Sequence, residues 1–102
     1  MAVIDSVLNE ELSRLLALRA RYAAERQALI RGSIIMKKKS GHNYAYRAYR
    51  KGNRVVTDYV GREASPQARK LAATIEKRRR IIRQIRALDA DAARLRKMIN
   101  AK

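Results

Sequence analysis

The residues best placed to do chemistry in this chain are cations and tyrosines set close together. The densest block is Lys77-Arg78-Arg79-Arg80, continued by Arg83 and Arg86. At roughly 100° per residue, Arg79, Arg83 and Arg86 fall on one side of a helix with Arg80 on its flank. Such a stripe can follow a phosphate backbone. A run of charge is more often a plain solvated helix face. Here, however, Glu76 is the only carboxylate nearby, and like charges four residues apart oppose the helix they sit on. That cost favours an external anion. The second cluster holds Lys37, Lys38, Lys39, His42, Tyr44, Tyr46, Arg47, Tyr49, Arg50, Lys51 and Arg54, with Arg62 just beyond. Tyrosine can stack on unpaired bases, arginine can stack or fork onto phosphate or guanine, and lysine neutralises. A two-stranded ribbon of this kind also fits a DNA major groove.

Other chemistry finds little to work with. His42 is the only histidine and there is no cysteine, so neither a metal site nor a disulfide is expected. The nine acidic residues are scattered along expected solvent faces, and no nucleophile has an evident base beside it. No glycine loop of phosphate-cradling spacing occurs. The expectation is a protein that is not an enzyme and needs no cofactor.

The charge balance points the same way. Twenty-five Lys and Arg face nine Asp and Glu in 102 residues, a net +16. An excess of that size repels itself in a compact state, and a polyanion is the simplest compensation. Anionic membrane comes second and an acidic protein third. Residues 37–86 hold sixteen of the cations against Asp58, Glu63 and Glu76, so +13 of the total lies there. The N-terminus lacks a basic start followed by an apolar run, so no signal peptide is expected. No stretch approaches the ~18 uninterrupted apolar residues of a membrane span. A cytoplasmic protein without a membrane partner follows as the default.

The elements that must position these groups can be read from spacing. Ile4, Leu8, Leu12, Leu15, Leu18, Tyr22 and Leu29 recur at helical intervals, which predicts a helix over 5–31. Asp5 or Ser6 would cap it and Gly32 would stop it. Residues 33–61 then read as three short strands joined by turns at Lys39-Ser40-Gly41-His42 and Lys51-Gly52-Asn53. In the middle strand Tyr44 and Tyr46 share one face and Ala45, Arg47 and Tyr49 the other. Packing of Tyr44 and Tyr46 against helix ends would leave Arg47 and Tyr49 more available. Ser65-Pro66 opens a second helix over 66–100. Leu71, Ile75, Ile82, Ile85, Leu88, Ala92, Leu95 and Ile99 mark its apolar face, with Arg78 in a seam-like position. The absence of Phe and Trp suits thin helix–helix seams.

The expected fold is therefore α+β: a long helix, a three-stranded antiparallel meander and a long helix, the helices paired as an antiparallel coiled-coil-like hairpin. It is read as one elongated domain over 1–102. The second helix outruns the first, so Leu88, Leu95, Met98 and Ile99 would meet a second subunit or fold back beside Ile4 and Leu8. A homodimer is the favoured assembly.

The segments Gly32-Ser33-Ile34-Ile35, Gly41-His42-Asn43-Tyr44-Ala45-Tyr46-Arg47-Ala48-Tyr49-Arg50-Lys51-Gly52-Asn53-Arg54-Val55-Val56 and Tyr59-Val60-Gly61 carry a resemblance. Together they resemble the sheet of small helix–sheet–helix proteins of phages and bacterial mobile elements. The likeness covers about the middle third of the chain. Some relatives carry Cys in the first turn, whereas this chain has Lys39-Ser40-Gly41-His42. The resemblance implies a mobile-element setting and no particular activity. Two functions are expected on these grounds. The first is a basic protein that grips the phosphate backbone of DNA or RNA through the meander and the Arg-rich helix. The alternative is a phage or mobile-element regulator, an anti-CRISPR-like inhibitor or accessory factor that binds a nucleoprotein enzyme.

Overall fold

The structure, a computed structural model, describes residues 2–101. Its elements are α1 (Ala2–Ala28), β1 (Ser33–Lys39), β2 (His42–Lys51), β3 (Arg54–Arg62) and α2 (Pro66–Asn100). This is the expected helix–meander–helix order, with the strands arranged β1-β2-β3 and both pairings antiparallel. The chain forms two compact units. One joins α1 to α2 from Arg80 onward, and the other is Leu29–Arg79.

In the helix unit, α1 and the distal part of α2 pair antiparallel. Arg19 on α1 reaches across to Asp89 on α2, Nε donating to Oδ1 at 2.5 Å and Nη2 to Oδ2 at 3.3 Å. Leu15 on α1 and Ile81, Ile85, Leu88 and Ala92 on α2 are buried, flanked by half-buried Leu8, Leu12, Leu18, Leu95 and Ile99. Removing such aliphatic groups from water contributes about 25 cal/mol per Å². Leu88 is thus buried within a single chain, while Met98 is exposed. Ile4 is exposed as well, beside Val3 and Val7, so the apolar stripe expected on α1 does not bury its first turn.

The bounds of α1 also differ from the expected 5–31. The helix already includes Asp5, whose carbonyl accepts a hydrogen bond from Asn9 Nδ2 at 2.8 Å, so neither Asp5 nor Ser6 is a cap. It ends at Ala28, and Arg31 already belongs to the sheet unit, where its carbonyl accepts from Arg47 Nε at 2.7 Å. Gly32 therefore serves another purpose than stopping a helix.

In the sheet unit both hairpins close with two-residue loops. Ser40 and Gly41 take φ of 53° and 80°, the double left-handed turn whose twist matches a tight hairpin. The β1–β2 register runs from Ser33 opposite Ala48 to Lys39 opposite His42. Between β2 and β3, Tyr46 faces Tyr59 but Ala45 faces Gly61, which leaves Val60 as a bulge. The bulge moves the last residues of β3 along by one, so Arg62 rather than Gly61 stands opposite Tyr44.

α2 starts as its sequence dictates. Ser65 Oγ accepts from Ala68 N at 3.2 Å, capping a helix whose first residue is Pro66. Its 35 residues span about 52 Å at 1.5 Å per residue. Its buried face is not the single stripe expected from spacing. Ala68, Leu71 and Ile75 share one face in the sheet unit, and Ile81, Ile85, Leu88 and Ala92 share another in the helix unit. Ile81 is the buried member of the Ile81-Ile82 pair, Ile82 being half-buried, and Arg78 is half-buried.

Candidate nucleic-acid interface

Strand alternation gives the meander two faces, and their fates differ. The face bearing Ile34, Ala45, Arg47 and Tyr49 is the covered one. Ala45 is 0 % exposed, and Ile34 lines a cavity with Ala72, Ile75, Glu76 and Arg79 of α2. A helix can approach there because Ala45 and its partner Gly61 are small. Arg47 and Tyr49 lie towards the far end of the same face and are engaged. The Arg47 guanidinium stacks 3.9 Å from the Tyr49 ring centroid while its Nε holds the Arg31 carbonyl. Interaction with the neighbouring Asp58 carboxylate, with some desolvation, raises the Tyr49 phenol pKa above its ordinary 10.0. Lys51, Arg54 and Val56 complete an open cleft with Tyr49 at the tip of this hairpin.

The opposite face is more open at one end: Ala48 on it is buried and Tyr44 and Tyr46 are half-buried, but Tyr59 is exposed. Tyr46 and Tyr59 stand directly across from each other, with ring centroids 5.4 Å apart at 62°, and Tyr44 lies 6.2 Å from Tyr59 at 52°. Tyr59 is 59 % exposed. The three rings line a shallow open pocket of about 380 Å³ with Lys39 and Ser40. Lys37 Nζ sits 4.6 Å from the Tyr46 ring centroid, a cation–π contact. By register the same face carries Lys37, Lys39, His42, Arg50 and Arg62, all exposed, and no carboxylate.

The expected difference in exposure is not seen: Arg47 and Tyr49 on one face and Tyr44 and Tyr46 on the other are all half-buried, and Tyr59 is the exposed ring. Alternation made the two faces visible in the sequence, but both carried tyrosine and arginine. The signal that separates them is the small pair Ala45 and Gly61, together with the bulge that brings Arg62 beside Tyr44.

The remaining candidates are distributed as follows. Lys38, Lys51 and Arg54 are exposed and belong to the covered side of the sheet. Lys77 and Arg79 are exposed on the part of α2 within the sheet unit. Arg80, Arg83 and Arg86 are exposed on the part within the helix unit. The Arg-rich block is therefore shared between the units rather than gathered with the sheet residues.

Electrostatically the two units are unlike. The sheet unit, Leu29–Arg79, holds fourteen Lys and Arg against Asp58, Glu63 and Glu76, a net +11 of the total +16. Of those carboxylates Glu63 is engaged by a neutral donor, its Oε2 accepting from Asn43 Nδ2 at 2.9 Å, and Asp58 lies beside the Tyr49 phenol, whose pKa it raises. The ion pairs Arg14–Glu11, Arg19–Asp89 and Arg94–Asp91 all belong to the helix unit. Among the described residues no group of three His, Cys, Asp or Glu is placed to hold a metal ion. None of the described helices is long and apolar enough to cross a membrane.

The model of one protein family, described as a domain of unknown function (DUF6788), matches residues 8–70. That span takes in most of α1, the whole meander with its three-tyrosine face, and the first turn of α2. It ends before the Lys77–Arg80 block. No curated protein and no solved structure matches the chain.

Proposed function

We propose a nucleic-acid-binding, non-catalytic function for this chain, which belongs to the family of the domain of unknown function DUF6788. The sheet unit would grip phosphate, with the exposed arginines of α2 adding further backbone contacts. The observation that carries this reading is the net +11 of the sheet unit, fourteen Lys and Arg against three carboxylates. Charge left uncompensated inside a unit of 51 residues attracts polyanions at long range and releases their condensed counterions on contact. The open face supports the same reading, since its cations meet no carboxylate of their own face.

The test is a salt titration of binding to labelled duplex DNA, single-stranded DNA and structured RNA. Log affinity should fall linearly with log salt, with a slope of about 0.7–0.9 per phosphate contacted. Replacing Lys39, Arg50 and Arg62 together by alanine should flatten that slope by roughly 2. All three are exposed, so the fold is not at stake. Indifference of the wild-type protein to every nucleic acid at low salt would remove the proposal.

A further inference from the structure

Resting on that reading, we infer that the face of Tyr44, Tyr46 and Tyr59 stacks unpaired bases, so that the ligand is single-stranded nucleic acid. Bases in a duplex are already stacked on each other and offer only their edges to a groove. A sheet face of aromatic rings has no use for edges. It offers flat, apolar surfaces, and those suit bases splayed out of a strand.

The geometry favours such a ligand in three ways. First, Tyr46 and Tyr59 are tilted at 62° and Tyr44 and Tyr59 at 52°, so none of the rings covers its neighbour face to face. Second, Tyr59 is 59 % exposed although it belongs to the largest aromatic cluster of the chain, so much of this residue is presented to solvent. Third, the cations stand around the rings. Lys37 and Lys39 lie on the β1 side, Arg62 stands opposite Tyr44, and Arg50 lies further along β2. A strand whose bases lie on the tyrosines carries its phosphates to that rim. An acidic protein partner would match the charge but would leave the rings without flat counterparts.

The chain contains no Trp, so tyrosine dominates its intrinsic emission and reports directly on stacking. The experiment uses oligodeoxyuridine, oligouridine and a mixed-sequence duplex of equal length, at one fixed salt concentration. The proteins are wild type, Tyr59→Leu and Tyr59→Phe. The single strands should bind more tightly than the duplex and quench tyrosine emission. Tyr59→Leu should weaken single-strand binding by about tenfold and leave duplex binding unchanged, because only a stack is lost. Tyr59→Phe should retain wild-type affinity, since the ring remains. The two single-stranded arms show whether deoxyribose or ribose is taken.

Equal loss of single-strand and duplex affinity in Tyr59→Leu overturns the inference, as does no loss at all. Either result leaves phosphate binding by the sheet unit standing. Failure of all three nucleic acids to bind the wild type overturns both.

Discussion

Gly32→Ala should destabilise the sheet unit by about 2–6 kcal/mol, a sum of two effects located at one residue. Gly32 has φ of 126°, a region that residues with a side chain rarely adopt, and holding alanine there costs about 1–3 kcal/mol. The added Cβ would also stand 2.5 Å from the Ala48 carbonyl oxygen and 3.4 Å from its carbon. That oxygen is backbone of the central strand, so relief requires β1 to move off β2. Crowding of this kind typically costs about 1–3 kcal/mol more. The fitting comparison is Gly41→Ala. Gly41 has φ of 80°, but its added Cβ would have no neighbour within 4 Å, so only the backbone term of about 1–2 kcal/mol applies. Urea denaturation followed by circular dichroism measures both variants against wild type. A domain near this size melts roughly 4–8 °C lower per kcal/mol lost, so the two should be well separated in temperature as well. If Gly32→Ala loses no more than Gly41→Ala, the close approach of Gly32 to β2 does not set the β1–β2 pairing.

Further outcomes follow from other contacts. Ile75, 4 % exposed on the face of α2 that meets the sheet, should cost about 2–5 kcal/mol as Ile75→Ala, whereas Met36→Ala on the exposed β1 edge should leave the denaturation midpoint nearly unchanged. Ser65→Ala removes the acceptor for Ala68 N and should cost about 1 kcal/mol, visible as a lowered midpoint with an unchanged slope. Tyr49 has a raised folded-state pKa, so its neutral form contributes fully below the unfolded value and loses that contribution as pH rises through the folded one. An ultraviolet titration should show one of the five phenols ionising late, and Asp58→Asn should bring it down towards the others.

Much of this protein is local and therefore legible in its residues. The start of α2 follows from Ser65-Pro66, where a hydroxyl acceptor precedes a ring that fixes φ, and the helix runs over Pro66–Asn100 as expected. The hairpins follow from Ser40-Gly41 and Gly52-Asn53, whose glycines accept left-handed backbone between alternating strands. Net charge and its concentration near the sheet are properties of composition, and no fold could change them. These features depend on neighbours a few positions apart, which is the range over which sequence pattern carries structural information.

Choosing between faces is a different problem. Period-two alternation divides β2 into Tyr44 and Tyr46 on one side and Ala45, Arg47 and Tyr49 on the other, without saying which side a helix will cover. Tertiary packing decides it: Ala45 is fully buried on one face, and Tyr59 is left exposed on the other. The bulge at Val60, which places Arg62 opposite Tyr44, is likewise set by pairing between strands rather than by either strand alone. The same holds for α2, where Ile81-Ile82 offers two equivalent apolar residues. Packing within the helix unit picks Ile81, which lies on one face with buried Ile85, Leu88 and Ala92. Residue types fixed what could bind; the contacts of distant segments decided which groups remain free to do so.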